Sequence, residues 1–382
     1  MKEQTVLILG GGIGGVVAAN RLRKRLGRQH RVVLVDREPT FALAASFLWV
    51  MSGDRRPDQI ARPLARLRRK GIEVILGEVE RIDPARREAV VDGRTYQADH
   101  LIVALGAQFA PEAVPGLAMA GLTFCTLEGA TRLRDALQAI RGGRIVVLTA
   151  APAYKCPAAP YEAAMLIEGL LRRRGVRSAV EIALHSAEPG PMGVAGPDAS
   201  AAVRAMVEGK GIAYRPEHQI ARAEVGRVHF TDGAALEVDL LVYVPPIKPP
   251  AVLAASGLVD GTGWVQVDRN TLETRFPGVY AVGDVTLIPL AMGKPLPRAG
   301  VFAHGQAEVV ARNITRVIAG KTPVERFDGH GACFIETGSG KAGFGAGDFY
   351  AEPRPAVRMR QPGMLWHMGK VLFEKQVMWQ WL

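Results

Sequence analysis

A chain of 382 residues with 43 glycines is long enough for two or three domains with proper cores, and three widely spaced cysteines exclude a structural disulfide framework. Net charge is +11, but the arginines are scattered or sit near helices (Arg62, Arg66, Arg68, Arg69; Arg172, Arg173, Arg174), with no aromatic-interleaved basic tract of the kind that binds nucleic acid. No apolar run reaches the length of a transmembrane helix, and the longest stretch, Phe41 to Met51, is interrupted by Ser46.

Thr5–Leu9 is an apolar, β-branched run that predicts a buried parallel strand. It enters Gly10-Gly11-Gly12-Ile13-Gly14-Gly15, a G-x-G-x-x-G fingerprint through Gly10, Gly12 and Gly15. A helix is expected from Val16 to Arg25 and a second strand over Val32–Val35, closed by Asp36. Gly10 allows the tight turn, Gly12 admits a pyrophosphate to the backbone, and Gly15 lets helix and strand pack closely. The helix N-terminus offers free N–H groups to the phosphates, and Asp36 can accept from an adenosine ribose. Because the first strand begins at residue 5, no signal peptide fits in front of it, and the chain is expected inside the cell.

Gly143–Thr149 repeats the opening strand, Val180–His185 repeats the second, and Tyr161 to Arg174 reads as the helix between them. The turn of this second unit is Ala150-Ala151-Pro152-Ala153-Tyr154-Lys155-Cys156-Pro157, without a glycine. Proline lacks an N–H and side chains block close backbone approach, so a pyrophosphate should bind poorly there. This argues against an enzyme that oxidises NAD(P)H.

Further on, Gly278–Asp284 is a short strand ending in Gly283-Asp284, followed by a helix from about Gly300 to Val317. From about Arg326 the composition shifts: strands 332–337 and 341–345 suggest a hairpin. A final segment, Trp366 to Leu382, sets Leu372, Phe373, Val377 and Trp381 at helical spacing, with basic residues near its start. Three tryptophans there favour a helix lying in a membrane interface. The alternative for this segment is a helix docked on the core.

Three of these segments together resemble the two-dinucleotide-binding-domain flavoproteins: the first fingerprint, the Leu101–Gly106 crossing between domains, and the Gly283-Asp284 strand end. That resemblance implies FAD, with Asp284 bonded to the ribityl chain and the helix after it aimed at the flavin ring. Cys156-Pro157-Ala158-Ala159-Pro160-Tyr161-Glu162 is more specific, and resembles the motif of the sulfide:quinone oxidoreductases and of the flavocytochrome c sulfide dehydrogenase flavoproteins. The likeness continues through Gly121–Thr126, His185–Met192 and Gly331–Gly338. It implies that Cys156 and Cys333 form a redox pair beside the flavin, and that Cys125 is the third cysteine, in some members tied covalently to it. It also implies that Lys370 faces the flavin and that Phe373 stacks on a quinone. Some members carry a histidine soon after the third cysteine. Here the run is Cys125-Thr-Leu-Glu-Gly-Ala130, so the base for sulfide is unassigned, with His185 an uncertain substitute.

Those residue types suit the chemistry. Hydrosulfide is a soft nucleophile and a disulfide its natural electrophile. Glu162, in the first turns of the helix after Cys156, could manage protons, or else be an exposed helix-start acid favoured by the helix dipole. A zinc site from His330, Cys333, Cys125 and Cys156 lacks any ligand spacing of the usual kind, and Gly338-Ser-Gly-Lys341 fails as a P-loop.

The expectation is an α/β protein with two Rossmann-like domains: residues 1–110 with 260–325 for FAD, and 111–259 without an NAD fingerprint. Residues 326–382 would form an amphipathic quinone and membrane segment. Expected partners are sulfide, a membrane quinone and the membrane surface at its cytoplasmic face. No metal or nucleic acid is expected, and a homo-oligomer is left open. The alternatives are a flavocytochrome-type sulfide dehydrogenase and a non-enzymatic sensor that switches on Cys156 and Cys333.

Overall fold

A computed structural model describes residues 3–382. In chain order the elements that build the site are β1 (Thr5–Leu9), α1 (Ile13–Arg25), β2 (Arg31–Asp36), α2 (Phe47–Met51), β3 (Glu73–Leu76) and β4 (His100–Val103). There follow β5 (Gly121–Leu122), β6 (Gly143–Thr149), α3 (Ala159–Arg173), β7 (Val180–His185), β8 (Ala213–Arg215) and β9 (Leu240–Val244). The chain then adds β10 (Val279–Ala281), α4 (Gly300–Ile318), β11 (His330–Gly338), β12 (Lys341–Asp348), β13 (Ala356–Gly363) and α5 (Met364–Gln380).

Two five-stranded parallel sheets result, in the orders β10-β4-β1-β2-β3 and β5-β9-β6-β7-β8. Their strands are β-branched runs buried on both faces, as a parallel sheet covered by helices requires. In the first sheet β1 is central: Leu9 pairs with Val35 on one side and Val103 on the other. Val16, Val17 and Leu22 of α1 share a core with Phe302, Ala307, Val310 and Ile314 of α4. In the second, Tyr161, Met165, Ile167 and Leu171 of α3 pack with Ile145, Val147 and Leu184. The topological repeat expected from the two strand–turn–helix patterns is therefore present, and the second sheet does not depend on glycines in its turn.

The C-terminal part departs from expectation in two ways. The hairpin is a three-stranded antiparallel sheet, β11-β12-β13. Its third strand, AVRMRQPG, is mostly polar and holds a proline, which hides an edge strand from any apolar pattern. Nor does α5 present Leu372, Phe373, Val377 and Trp381 on one face. Five positions turn a helix through about 140°, so Val377 and Trp381 are buried in the core of the first sheet while Leu372 is exposed. The buried face of α5 carries Lys370, Glu374, Val377 and Met378; its outer face exposes Met364, Leu365, Met368, Leu372 and Trp379. Among the described residues no helix is long and apolar enough to cross a membrane.

Candidate functional site

The first turn has the form a dinucleotide needs. Gly10 has φ +108°, and a Cβ there would lie 2.3 Å from the Ala104 carbonyl oxygen; one at Gly15 would lie 1.8 Å from that of Gly10. A Cβ at Gly12 would meet nothing within 4 Å. Two of the glycines are thus fixed by packing, and the third leaves a space beside the N-terminus of α1. The Asp36 carboxylate accepts from the N–H of Gly11 and, at 2.7 Å, from that of Glu38. This ties the acid at the end of β2 to the glycine turn. Gly106 (φ +68°) also faces open space. Gly283 (φ +78°) donates its N–H to Gln306 Oε1 of α4 at 2.6 Å, which pins the Gly283-Asp284 turn to the helix behind it.

Around Asp284 the structure adds two cations that the sequence did not single out. Lys155 Nζ lies 3.7 Å from Asp284 Oδ2 and 4.6 Å from the centre of the Phe109 ring. Arg298 donates Nε to the Asp284 carbonyl at 2.9 Å and stacks on Trp264 at 3.8 Å, while its Nη2 is buried without a partner. A buried guanidinium nitrogen lacking an acceptor is costly unless an acceptor arrives.

The second turn is built differently. Tyr154, 7% exposed, packs in the same core as Tyr161 and Tyr214. Its hydroxyl donates to Glu188 Oε2 at 2.6 Å. Gln219 Nε2 holds the Ala150 carbonyl at 2.8 Å, and Thr149 Oγ1 accepts from the Ala187 N–H at 3.1 Å. Side chains and their hydrogen bonds, with no glycine among them, thus make up the turn after β6.

Cys156 leaves that turn with φ +56°, a conformation unusual outside glycine, and its N–H donates to the Arg298 carbonyl at 2.8 Å. The thiol is thereby tied to the segment that leads into α4. Pro160 at the start of α3 needs no N–H partner, and the helix delivers Glu162 one turn in. Glu162 is 3% exposed. The reading of it as an exposed helix-start acid is therefore wrong: α3 is buried along most of its length between the second sheet and β11.

Glu162 joins three parts of the chain. Its Oε1 accepts from Lys370 Nζ of α5 and from the Glu336 N–H of β11, each at 2.8 Å. Cys333 lies three residues before Glu336 on the same strand. Cys156 and Cys333, both free, lie close enough that a charge on Cys333 would disfavour the Cys156 thiolate. Burial pushes the Cys156 thiol well up and Cys333 up to about 12; Glu162 adds to both rises and Lys370 opposes them. Lys370 loses favour as a cation through burial, but Glu162 and Glu336 outweigh this and raise its pKa. The ammonium is held among two carboxylates and two thiols.

Cys125 stands apart from this cluster, just before the N-cap Thr126 of the helix Leu127–Ala139, with its own N–H on Thr123 Oγ1 at 3.1 Å. Burial pushes its thiol up to about 11, with Lys155 acting against that. Phe373 is also outside the cluster, 39% exposed and edge-on to Trp381 with ring centres 6.5 Å apart. His185 is taken up by other contacts: its Nδ1 is 2.9 Å from His218 Nδ1 and its ring stacks on Phe230.

Sequence reasoning missed Lys155, Arg298, Glu336 and His367. His367 Nδ1 lies 3.1 and 3.0 Å from the two oxygens of Glu336. The one available signal was adjacency: Lys155 precedes Cys156, Glu336 follows Cys333 by three, and His367 precedes Lys370 by three. Among the described residues no three His, Cys, Asp or Glu side chains converge as metal ligands.

The model of the pyridine nucleotide-disulphide oxidoreductase family matches residues 4–307. The chain is 28% identical over 392 residues to the sulfide-quinone reductase of Aquifex aeolicus, covering 98% of this chain and 90% of that protein. It is 24% identical over 371 residues to the mitochondrial sulfide:quinone oxidoreductase of Mus musculus, covering 91% and 79%. The X-ray structure of the sulfide:quinone oxidoreductase from Aquifex aeolicus superposes with a TM-score of 0.89 at 25% identity, over 99% of this chain and 91% of that one.

Proposed function

The chain belongs to the pyridine nucleotide-disulphide oxidoreductase family, and on that premise we propose that it is an FAD-dependent sulfide:quinone oxidoreductase working through Cys156 and Cys333. The observation that carries this reading is the meeting of the half-buried thiols Cys156 and Cys333 with the buried Glu162 and Lys370, drawn from α3, β11, α5 and the turn after β6. A thiol pair with an adjacent acid and ammonium is suited to exchange with a sulfur nucleophile. The glycine-free turn at 150–157, with its two prolines, supports sulfide over NAD(P)H as the electron donor.

FAD fits the residues present. Gly10, Gly12, Gly15 and Asp36 would hold its adenosine pyrophosphate, Gly106, Gly283 and Asp284 its central part, and the unpaired Arg298 nitrogen supplies a donor within the same region. Bound FAD would supply a two-electron acceptor for the thiolate and a donor for the quinone.

The chain's own residues perform the rest. Hydrosulfide attacks one sulfur of the oxidised Cys156–Cys333 pair, so that an S–S bond forms to one cysteine as the bond between the two breaks. One cysteine becomes a persulfide and the other leaves as thiolate. Lys370 is the nearest cation to offset that thiolate, and Glu162 is placed to take or return a proton. For each further round the persulfide and the thiolate join into a longer sulfur bridge, the two electrons passing to the acceptor that bound FAD would supply, and another hydrosulfide then opens that bridge and lengthens the polysulfide. Cys125, beside Lys155 and away from the pair, serves flavin retention.

The outer face of α5 is the membrane contact in this reading. Leu365 and Trp379 are 74% and 81% exposed, and Met364, Met368 and Leu372 lie with them. Burying such a stripe in the interface is favourable, and the overall positive charge adds attraction to anionic lipid. A quinone would enter from lipid past Phe373.

Anaerobic addition of sodium sulfide should bleach the oxidised flavin within seconds, while NADH should leave it unchanged. Rapid stoichiometric bleaching by NADH with no response to sulfide would overturn the proposal.

A further inference from the structure

We propose that Glu336 and His367 form a proton inlet that connects the buried Lys370–Glu162 pair with solvent. The inference rests on the sulfide:quinone reading and asks where that reaction obtains its protons. Hydrosulfide gives up two electrons and one proton as its S–H bond breaks. A quinone takes two electrons and two protons as two O–H bonds form. One proton must therefore enter from water in every turnover, and it must reach a site whose ionisable groups are buried.

The structure holds one graded series of such groups. Glu162 and Lys370 are inside, at 3% and 5% exposure, and joined at 2.8 Å. Glu336 comes next: its N–H is on Glu162, its side chain is 1% exposed, and its charge is felt by Lys370. His367 follows, with Nδ1 on both Glu336 oxygens at 3.1 and 3.0 Å and a side chain 25% exposed. His367 and Lys370 are one turn apart on the same helix, so α5 fixes the spacing of the two ends. The step from Glu336 to Lys370 is bridged by a water or a small rotation of the carboxylate.

The outer end opens into a cavity of about 230 Å³ lined by Trp49, Asp54, Arg55, Arg173, Glu336 and His367. The charges facing His367 there are already matched. Arg55 pairs with Glu374 at 2.8 Å and Arg173 with Asp54 at 3.5 Å. The Trp49 ring lies edge-on to His367, with Lys370 Nζ 5.0 Å from its centre. This leaves the His367 ring as the part-exposed link between the cavity and the buried Glu336 carboxylate. Burial raises the pKa of the Glu336 carboxyl, with Lys370 and His367 acting against that.

The test separates the two half-reactions by stopped flow in the FAD-loaded protein, using sodium sulfide and then ubiquinone-1. In His367→Ala and Glu336→Gln, sulfide should still bleach the flavin, which also reports that the variants are folded. Reoxidation by ubiquinone-1 should slow about 10²-fold, the lower range for loss of a positioned proton carrier. His367→Ala should recover rate when imidazole is added. Wild-type reoxidation rates in both variants would overturn the inlet and leave the functional reading standing. Failure of sulfide to bleach the wild-type flavin would overturn both.

Discussion

Lys370 donates its ammonium to a carboxylate 208 positions earlier in the chain, Glu162 Oε1, at 2.8 Å and out of reach of water. The pair is the joint between α3 and α5, and its energetics are asymmetric. Keeping both charges costs desolvation that their attraction roughly offsets; keeping one leaves a buried charge alone.

Lys370→Met should therefore destabilise the fold by about 3–5 kcal/mol in chemical denaturation, whereas Lys370→Met combined with Glu162→Leu should recover most of the loss. Additive losses in the double variant would show that the two residues do not act as a pair.

Cys156→Ser and Cys333→Ser should each lose sulfide-driven quinone reduction by several orders of magnitude while retaining FAD, since neither touches the Gly10–Gly15 turn. Cys125→Ser should mainly weaken flavin retention. Absorbance of the purified variants gives FAD content, and steady-state assay gives turnover. Full turnover in both of the first two variants would end the cysteine mechanism.

Tyr154 makes the case against NADH testable by structure. Tyr154→Gly removes the ring and frees Glu188, yet Pro152 and Pro157 still lack N–H donors. The variant should lose stability, by about 3–5 kcal/mol for emptying a large aromatic site, without gaining NADH oxidation. A gain of rapid NADH oxidation would mean that the ring alone keeps the cofactor out.

Phe373→Ala should raise the KM for quinone with little change in sulfide reduction of the flavin. Leu365→Ser with Trp379→Ser, both on the outer face of α5, should weaken vesicle binding without changing the reductive half-reaction. Deleting the segment would be uninformative, because Val377, Met378, Trp381 and Leu382 are core residues and Asn20 and Lys70 hold the backbone carbonyls of Trp381 and Gln380.

His185 gives an acid-stability signature. Burial, with His218 next, lowers its pKa from 6.5 to about 4. The folded state resists a proton that the unfolded state accepts, so this contribution is fully present above about pH 6.5 and is lost as pH falls toward 4, by about 3 kcal/mol at most. His185→Gln should flatten the stability curve across that window; an unchanged slope would remove His185 as its source.

Local pattern carried the sequence reading far where the chemistry is local. The first glycine turn and the strands Thr5–Leu9, Gly143–Thr149 and Val180–His185 were legible because alternation of strand, turn and helix is written within about 30 residues. Glu162 and Cys156 were legible through one contiguous motif. Glu336 and His367 were not: their partners lie 174 and 31 positions away, and one exposed-looking acid in a strand carries no mark of burial. The face of α5 was misread for a related reason. A helix with apolar residues nearly all round gives no unique stripe, and only packing against the first sheet decides which side turns inward.

That two-sidedness sets a length scale. An α-helix with its side chains is about 10–12 Å across, and α5 is the sole material between Lys370 on its inner face and Leu372 and Trp379 on its outer one. Whatever layer settles on the outside comes within one helix width of the ammonium. An amphiphile could keep its tail in that layer and extend only its head group to the chemistry.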